Sequence, residues 1–372
     1  MRGKRFPAIA FSLLVVLAAG CGSNKIITPA CTAALPQEFA YQLNGATVSM
    51  FALDSCTGAF SATTPATVGS GIAPGDLPAE DMVVDPRGRF AYVANLVSNA
   101  SDQASIAMYT VSRSTGVLTP TTPPTVHTGF FPQGIAIDPS GRFVYTANSD
   151  DDTVSMFSID QTTGVLTPAM PASVPTGRQP GFLAIHPNGK FLYVINQVDA
   201  TVSMYAIDST TGVLSPLSTA TVRSGDFGIT IDPSGRFAYV VGNIVNFVFQ
   251  FTIDPNTGIL HPAATPAIQV GQGPTTVAVD PTSHFAYVAN RDDDTLSMFK
   301  INQTDGTLSP NSTATIATGH MPFRILFDPA QRFLYVVNEE SAASVFTVNA
   351  DGTLSSAGTT GSKAISMAIA AP

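Results

Sequence analysis

The chain has 372 residues, with 17 Lys and Arg against 26 Asp and Glu, for a formal net charge of −9 at pH 7. Only 12% of its residues are charged, and no cluster of cations is present, which excludes nucleic acid as a partner. Its 44% hydrophobic content is ample for a large core. The apolar residues fall in short runs between Gly, Pro, Asn and Asp, the pattern of strands rather than helices.

At the N-terminus, Arg2, Lys4 and Arg5 precede an apolar run from Phe11 to Ala19, and the chain then reads Ala18-Ala19-Gly20-Cys21. Residues 1–20 are expected to be an export signal. Small residues directly before a cysteine resemble the bacterial lipobox, which implies that Cys21 carries lipid and that residues 21–37 form an anchored linker. The apolar run is shorter than the roughly 20 residues a membrane span requires, so attachment to a bacterial membrane is expected through lipid alone, on its periplasmic or cell-surface side. Cys31 and Cys56 remain, and in an exported chain they are expected to pair. The alternative is two buried thiols; zinc would need more Cys or His nearby.

From residue 38 onward the chain repeats. Tyr41, Tyr92, Tyr145, Tyr193, Tyr239, Tyr287 and Tyr335 stand in one recurring phrase at intervals of 46 to 53 residues. A period in the forties built from short strands predicts an all-β fold, a seven-bladed β-propeller of four-stranded antiparallel blades spanning 38–372. One unit shows the parts: GIAI (134–137), FVYTAN (143–148), TVSMFSI (153–159) and GVLTPA (164–169), here called strands A to D from the axis outward. DPSG joins A to B, and turns such as DQTTG and DSTTG join C to D. The chain enters at strand B, EFAYQLN, and ends in AISMAIA, which reads as a strand A without a partner. The closing blade is therefore expected to be shared between the two ends, leaving no long open sheet edge.

The phrase Tyr-Val-x-Asn followed by TVSM(F/Y) resembles the YVTN-type propellers, and the pattern from 38 to 372 resembles the lactonase-like (6-phosphogluconolactonase-like) seven-bladed group. The resemblance implies hydrolysis of a sugar or other lactone. It also implies a His directly after the crossover Pro and an Asp-Leu-Gly-x-Asp pattern in a B–C turn. Here Gln133, Gly181, Thr275 and Phe323 follow the crossover prolines, and the turns open on Asn148, Asn196, Asn290 and Asn338.

The A–B and C–D turns are nearly uniform, so function is expected at the opposite end, where the D–A crossovers and B–C turns vary. Arg178, Gln179, Asp226, His320, Arg324, Glu80 and Asp81 are expected at the mouth of the central channel, as a ligand site. Arg178, His320 and Arg324 are the candidates for an anion or carbonyl, since a guanidinium fork suits a carboxylate or phosphate. The turns holding Asp150, Asp151 and Asp152, and Asp292, Asp293 and Asp294, have the oxygen chemistry of a Ca²⁺ site but lack the spacing of a dedicated calcium loop. Met50, Met108, Met156, Met204 and Met298 recur on five separate blades, which predicts packing rather than copper binding.

Two functions follow. Without the expected catalytic motifs, a monomeric, non-catalytic module is the first reading, binding an envelope protein, a glycan or a small ligand; lactone hydrolysis is the alternative. No Cys-x-x-Cys-His motif is present, and no cofactor is expected.

Overall fold

The computed structural model describes residues 37–71, 79–96, 104–221 and 226–370, without side chains for 221, 226 and 227. Residues 1–36, with Cys21 and Cys31, lie outside this set. Cys56 is disulfide-bonded. No helix among the described residues is long and apolar enough to cross a membrane.

Seven four-stranded antiparallel sheets stand in a ring as blades 1 to 7. In blade 3, strands A to D are Pro132–Ile137, Phe143–Asn148, Thr153–Ile159 and Leu166–Pro175. Blade 1 is the shared one: Ser366–Ala370, from the end of the chain, pairs with Phe39–Leu43, joining Phe39 to Ala370 and Leu43 to Ser366. The chain's last strand thus covers the edge its first strand would otherwise leave open.

The repeated phrase around Asp138 proves to be the joint between blades. Asp138 Oδ1 accepts the backbone N–H groups of Arg142 and Phe143, both at 2.7 Å, fixing the A–B turn. Arg142 lies over the Phe143 ring at 5.0 Å and donates to Ser209 O of blade 4 at 2.6 Å. Buried Tyr145 donates its hydroxyl to Gly212 O, in the C–D turn of blade 4, at 2.8 Å. Every blade makes this tyrosine bond to the next, from Tyr41 with Gly116 round to Tyr335, which closes the ring on Gly58 at 3.0 Å. Gly212 sits at φ +74, where a Cβ would lie 2.7 Å from Phe143 Cγ. Glycine is required there by conformation and by space together.

The methionines do more than pack. Met50, Met108, Met156 and Met204 each turn sulfur toward a backbone N–H in strand D of the next blade, at 3.1 to 3.4 Å. Gln250, at the same position, offers Oε1 to Leu308 N instead. Each acceptor meets a buried N–H that would otherwise go unpaired.

Candidate functional site

At the other end of the blades the crossovers need acceptors for their own N–H groups, and the B–C turns supply them. Asp151 accepts from Phe130 N at 2.7 Å, Asp199 from Arg178 N at 2.8 Å, Asp293 from Gln272 N at 2.7 Å and Ser341 from His320 N at 3.0 Å. The following residue reaches the next blade: Asp152 accepts from Gln179 N at 2.8 Å, Asn246 from Gly273 N at 2.9 Å and Asp294 from Met321 N at 2.8 Å. Asp152, Asn246 and Asp294 have φ of 52°, 61° and 54°, a left-handed conformation that Asn and Asp tolerate best among side-chain-bearing residues. The second and third Asp of each triplet therefore hold backbone. Asp150 is exposed, and Asp292 lies 3.6 Å from Arg291. Among the described residues no group of three or more His, Cys, Asp or Glu is placed to hold a metal ion.

Rim cations are also engaged. Arg178 Nε is 2.6 Å from Asp199, and Arg291 Nη2 is 2.8 Å from Glu339. His320 Nδ1 is 3.0 Å from Asp294, and Nε2 is 3.5 Å from Glu340. The hydrogen bond from Asp294, with its charge, raises the pKa of the imidazole above the ordinary value. Asp294 itself is lowered, first by the Met321 N–H and then by His320.

The channel mouth is built by one position on each strand A, two residues beyond the crossover proline or its equivalent. The strands are Asp81–Val84, Pro132–Ile137, Pro180–Ile185, Asp226–Ile231, Pro274–Val279, Pro322–Phe327 and Ser366–Ala370. Cross-strand register aligns Asp81 with Ala94, Gly134 with Ala147, Gly228 with Val241, Thr276 with Ala289, Arg324 with Val337 and Ser366 with Leu43. Phe182 takes the place in blade 4, one residue before Leu183, which pairs with Val194. Seven equivalent positions thus carry largely different side chains.

Four of them are tied together. Arg324 Nη2 is 3.0 Å from Asp81 Oδ1, and the side chains are 22% and 7% exposed. Asp81 Oδ1 also accepts from Ser366 Oγ at 2.9 Å and from Met82 N at 2.8 Å. The Arg324 guanidinium lies 4.9 Å from the centroid of the Phe182 ring, contributed by blade 4, and 5.8 Å from that of Phe323. One side chain from blade 7 therefore engages blades 2 and 4. Arg324 Nε is buried and has no acceptor. Glu80 stands beside this group: burial raises its pKa, against the opposing pull of Arg324. The strands A enclose a cavity of about 440 Å³, walled in part by Val83, Ile137, Leu183, Ile229, Leu326 and Ile369.

The structure divides the predicted site. Arg324, Asp81 and Glu80 come together, whereas Arg178, Gln179 and His320 lie on the outer rim because the crossover backbone is captured there by the B–C turns. Asp226 pairs through its backbone with Gly242; its side chain lies outside the described set. Sequence reasoning missed Phe182, Thr276 and Ser366 as mouth residues. The available signal was an Arg inside an otherwise apolar strand A, PFRILF, which marks the position in each unit that sits at the mouth.

A family model for the lactonase seven-bladed β-propeller matches residues 36–175, 169–226 and 223–366. No curated protein matches the chain. Among solved structures, a candidate 6-phosphogluconolactonase of Bacteroides fragilis is 18% identical with a TM-score of 0.72, covering 90% of this chain and 98% of that one. Another from Bacteroides uniformis is 21% identical, TM-score 0.70, over 86% and 94% of the two chains. The periplasmic gluconolactonase of Pseudomonas aeruginosa is 16% identical, TM-score 0.70, over 90% and 99%. At such identities these three speak to the fold alone, but the family match runs through nearly the whole ring, and the chain belongs to the lactonase family of seven-bladed β-propellers.

Proposed function

We propose that the chain hydrolyses a small lactone at the crossover-end mouth of its channel. The observation that carries this reading is Arg324, held between Asp81 and Phe182 at a cavity of mixed polar and apolar lining, with Glu80, whose pKa burial raises, beside it. Family membership favours the same chemistry. The lactone carbonyl oxygen accepts from the Arg324 guanidinium, which stabilises the oxyanion as water adds. Glu80, as carboxylate, takes the proton from that water; a carboxyl raised by burial is suited to the task. Collapse breaks the ring C–O bond, and the leaving alkoxide recovers the proton from Glu80. The product is a hydroxy acid.

A second reading, binding without turnover, is favoured by the placement of His320 on the rim, away from the mouth. The same experiment separates the two. Purified residues 22–372 are given a panel of lactones, and ring opening is followed by proton release, for the parent and for Arg324→Met and Glu80→Gln. Hydrolysis is expected in the parent and a loss of about 100-fold or more in each variant, the scale for removing an oxyanion donor or a general base. Heat of lactone binding with no proton release would establish the binding module instead.

We propose further that the chain is exported and carried on a bacterial membrane by lipid on Cys21. The basic start, the apolar run and the small residues before Cys21 support this. Incorporation of labelled palmitate that persists in Cys21→Ser would refute it.

A further inference from the structure

The charge around the mouth bears on which lactone it takes, given the hydrolytic reading above. Arg324 is already neutralised by Asp81, whose carboxylate is also held by Ser366 and a backbone N–H. Arg291 is neutralised by Glu339 and Arg178 by Asp199. Among the described residues the carboxylates at this end outnumber the cations: Glu80 stands at the mouth, Asp292 and Glu340 share Arg291 and His320 with Glu339 and Asp294, and the backbone-holding Asp residues line the rim. Lys363, exposed on the crossover into blade 1, is the cation among the described residues at this end with no carboxylate partner.

We infer that the mouth sorts by charge, admitting uncharged lactones, rejecting phosphorylated ones and expelling the hydroxy acid it makes. A neutral carbonyl needs only a hydrogen-bond donor, which a paired guanidinium still offers through its remaining N–H groups. A phosphate dianion needs a free cation and meets uncompensated carboxylates instead. Ring opening creates a carboxylate where none existed, so the product, unlike the substrate, is repelled. The field that turns away a charged substrate is thus also the field that clears the site.

The test compares glucono-δ-lactone with its 6-phosphate, on the whole exported chain. At low ionic strength kcat/KM is expected to favour the neutral lactone by about 100-fold, the effect of a dianion some 6 Å from one unbalanced carboxylate at intermediate dielectric. In 1 M salt, where screening acts within about 3 Å, the ratio should fall to a few fold. Glu339→Gln, which removes the nearer of the two carboxylates on Arg291 and with it one negative charge, should raise kcat/KM for the phosphate about five- to tenfold and change the neutral lactone less than twofold. Gluconate should inhibit more weakly than a neutral sugar of its size. Preference for the phosphorylated lactone, a ratio indifferent to salt, or an equal response of both substrates to Glu339→Gln overturns the inference while leaving hydrolysis standing. Turnover of neither lactone, with none elsewhere in the panel, removes both.

Discussion

Replacing Gly212 by alanine tests the joint between blades 3 and 4 more sharply than any change in the core. Three costs combine. An alanine at φ +74 carries about 1 kcal/mol of left-handed strain. Its Cβ, placed 2.7 Å from Phe143 Cγ, must displace a ring that is 5% exposed and already packed, at about 1–3 kcal/mol. Shifting the turn loosens the 2.8 Å bond from Tyr145 to Gly212 O, worth about 1 kcal/mol. The sum is about 3–5 kcal/mol. For a ring of this size, at about 2.1 cal/mol/K per residue, that lowers Tm by roughly 4–7 °C. Gly69→Ala is the control, since nothing lies within 4 Å of its Cβ position and its φ is not positive. Urea and thermal unfolding of both variants should show Gly212→Ala strongly destabilised and Gly69→Ala much less so. Partial recovery on adding Phe143→Leu would trace the loss to the ring. If Gly212→Ala unfolds within about 0.5 kcal/mol of the parent, the account of the joint is wrong.

Ala200 stands where Asp152, Asn246 and Asp294 stand in other blades and shares their left-handed backbone, with φ 51°; Ala200→Asn should therefore stabilise by about 0.5–1 kcal/mol in urea titration. The His320 imidazole should titrate above its ordinary value in NMR and return toward it in Asp294→Asn. Because that pKa is raised on folding, whatever the contact between blades 6 and 7 contributes is complete below the unfolded value of 6.5 and declines as pH rises through the folded one. Stability measured from pH 5 to 9 should accordingly lose its His320-dependent part on the alkaline side, and a loss on the acid side through the same pH range would contradict the assignment. Ending the chain before Ser366 removes Met367, 2% exposed, and with it about 2 kcal/mol of burial. It also strips the inner edge of blade 1, so a lower Tm with strand-edge aggregation is expected in light scattering.

The ring was legible because its signals are local and repeated. Gly after Thr or Asp marks a C–D turn in any blade, and a tyrosine at a steady interval counts the blades. The strand at the C-terminus could be assigned to blade 1 because the two chain ends are incomplete in complementary ways. The site was legible only in part, since which crossover residue faces the axis depends on strand register and not on chemical type. Arg178 and Arg324 look alike in one dimension; four residues of offset relative to the crossover proline put one on the rim and the other at the cavity. The Asp triplets suggested a cation for a similar reason. Nothing in NSDDDT says that backbone N–H groups of its own blade and of the next are waiting for those carboxylates. Phe182 was passed over because an aromatic in an apolar strand reads as core until the register places it opposite a guanidinium.

The shared blade also sets an order of events during synthesis. Phe39–Leu43 is the first described strand to be made, and its inner partner, Ser366–Ala370, is the last. Gly58 likewise waits for Tyr335. Until the ribosome has delivered nearly the whole chain, blade 1 can be only a three-stranded ribbon with its axis-side hydrogen bonds unclaimed. A nascent or prematurely terminated chain therefore presents one sticky strand that the finished protein conceals, so the hazard in making this ring is concentrated at Phe39–Leu43 and lifted only by Ser366–Ala370.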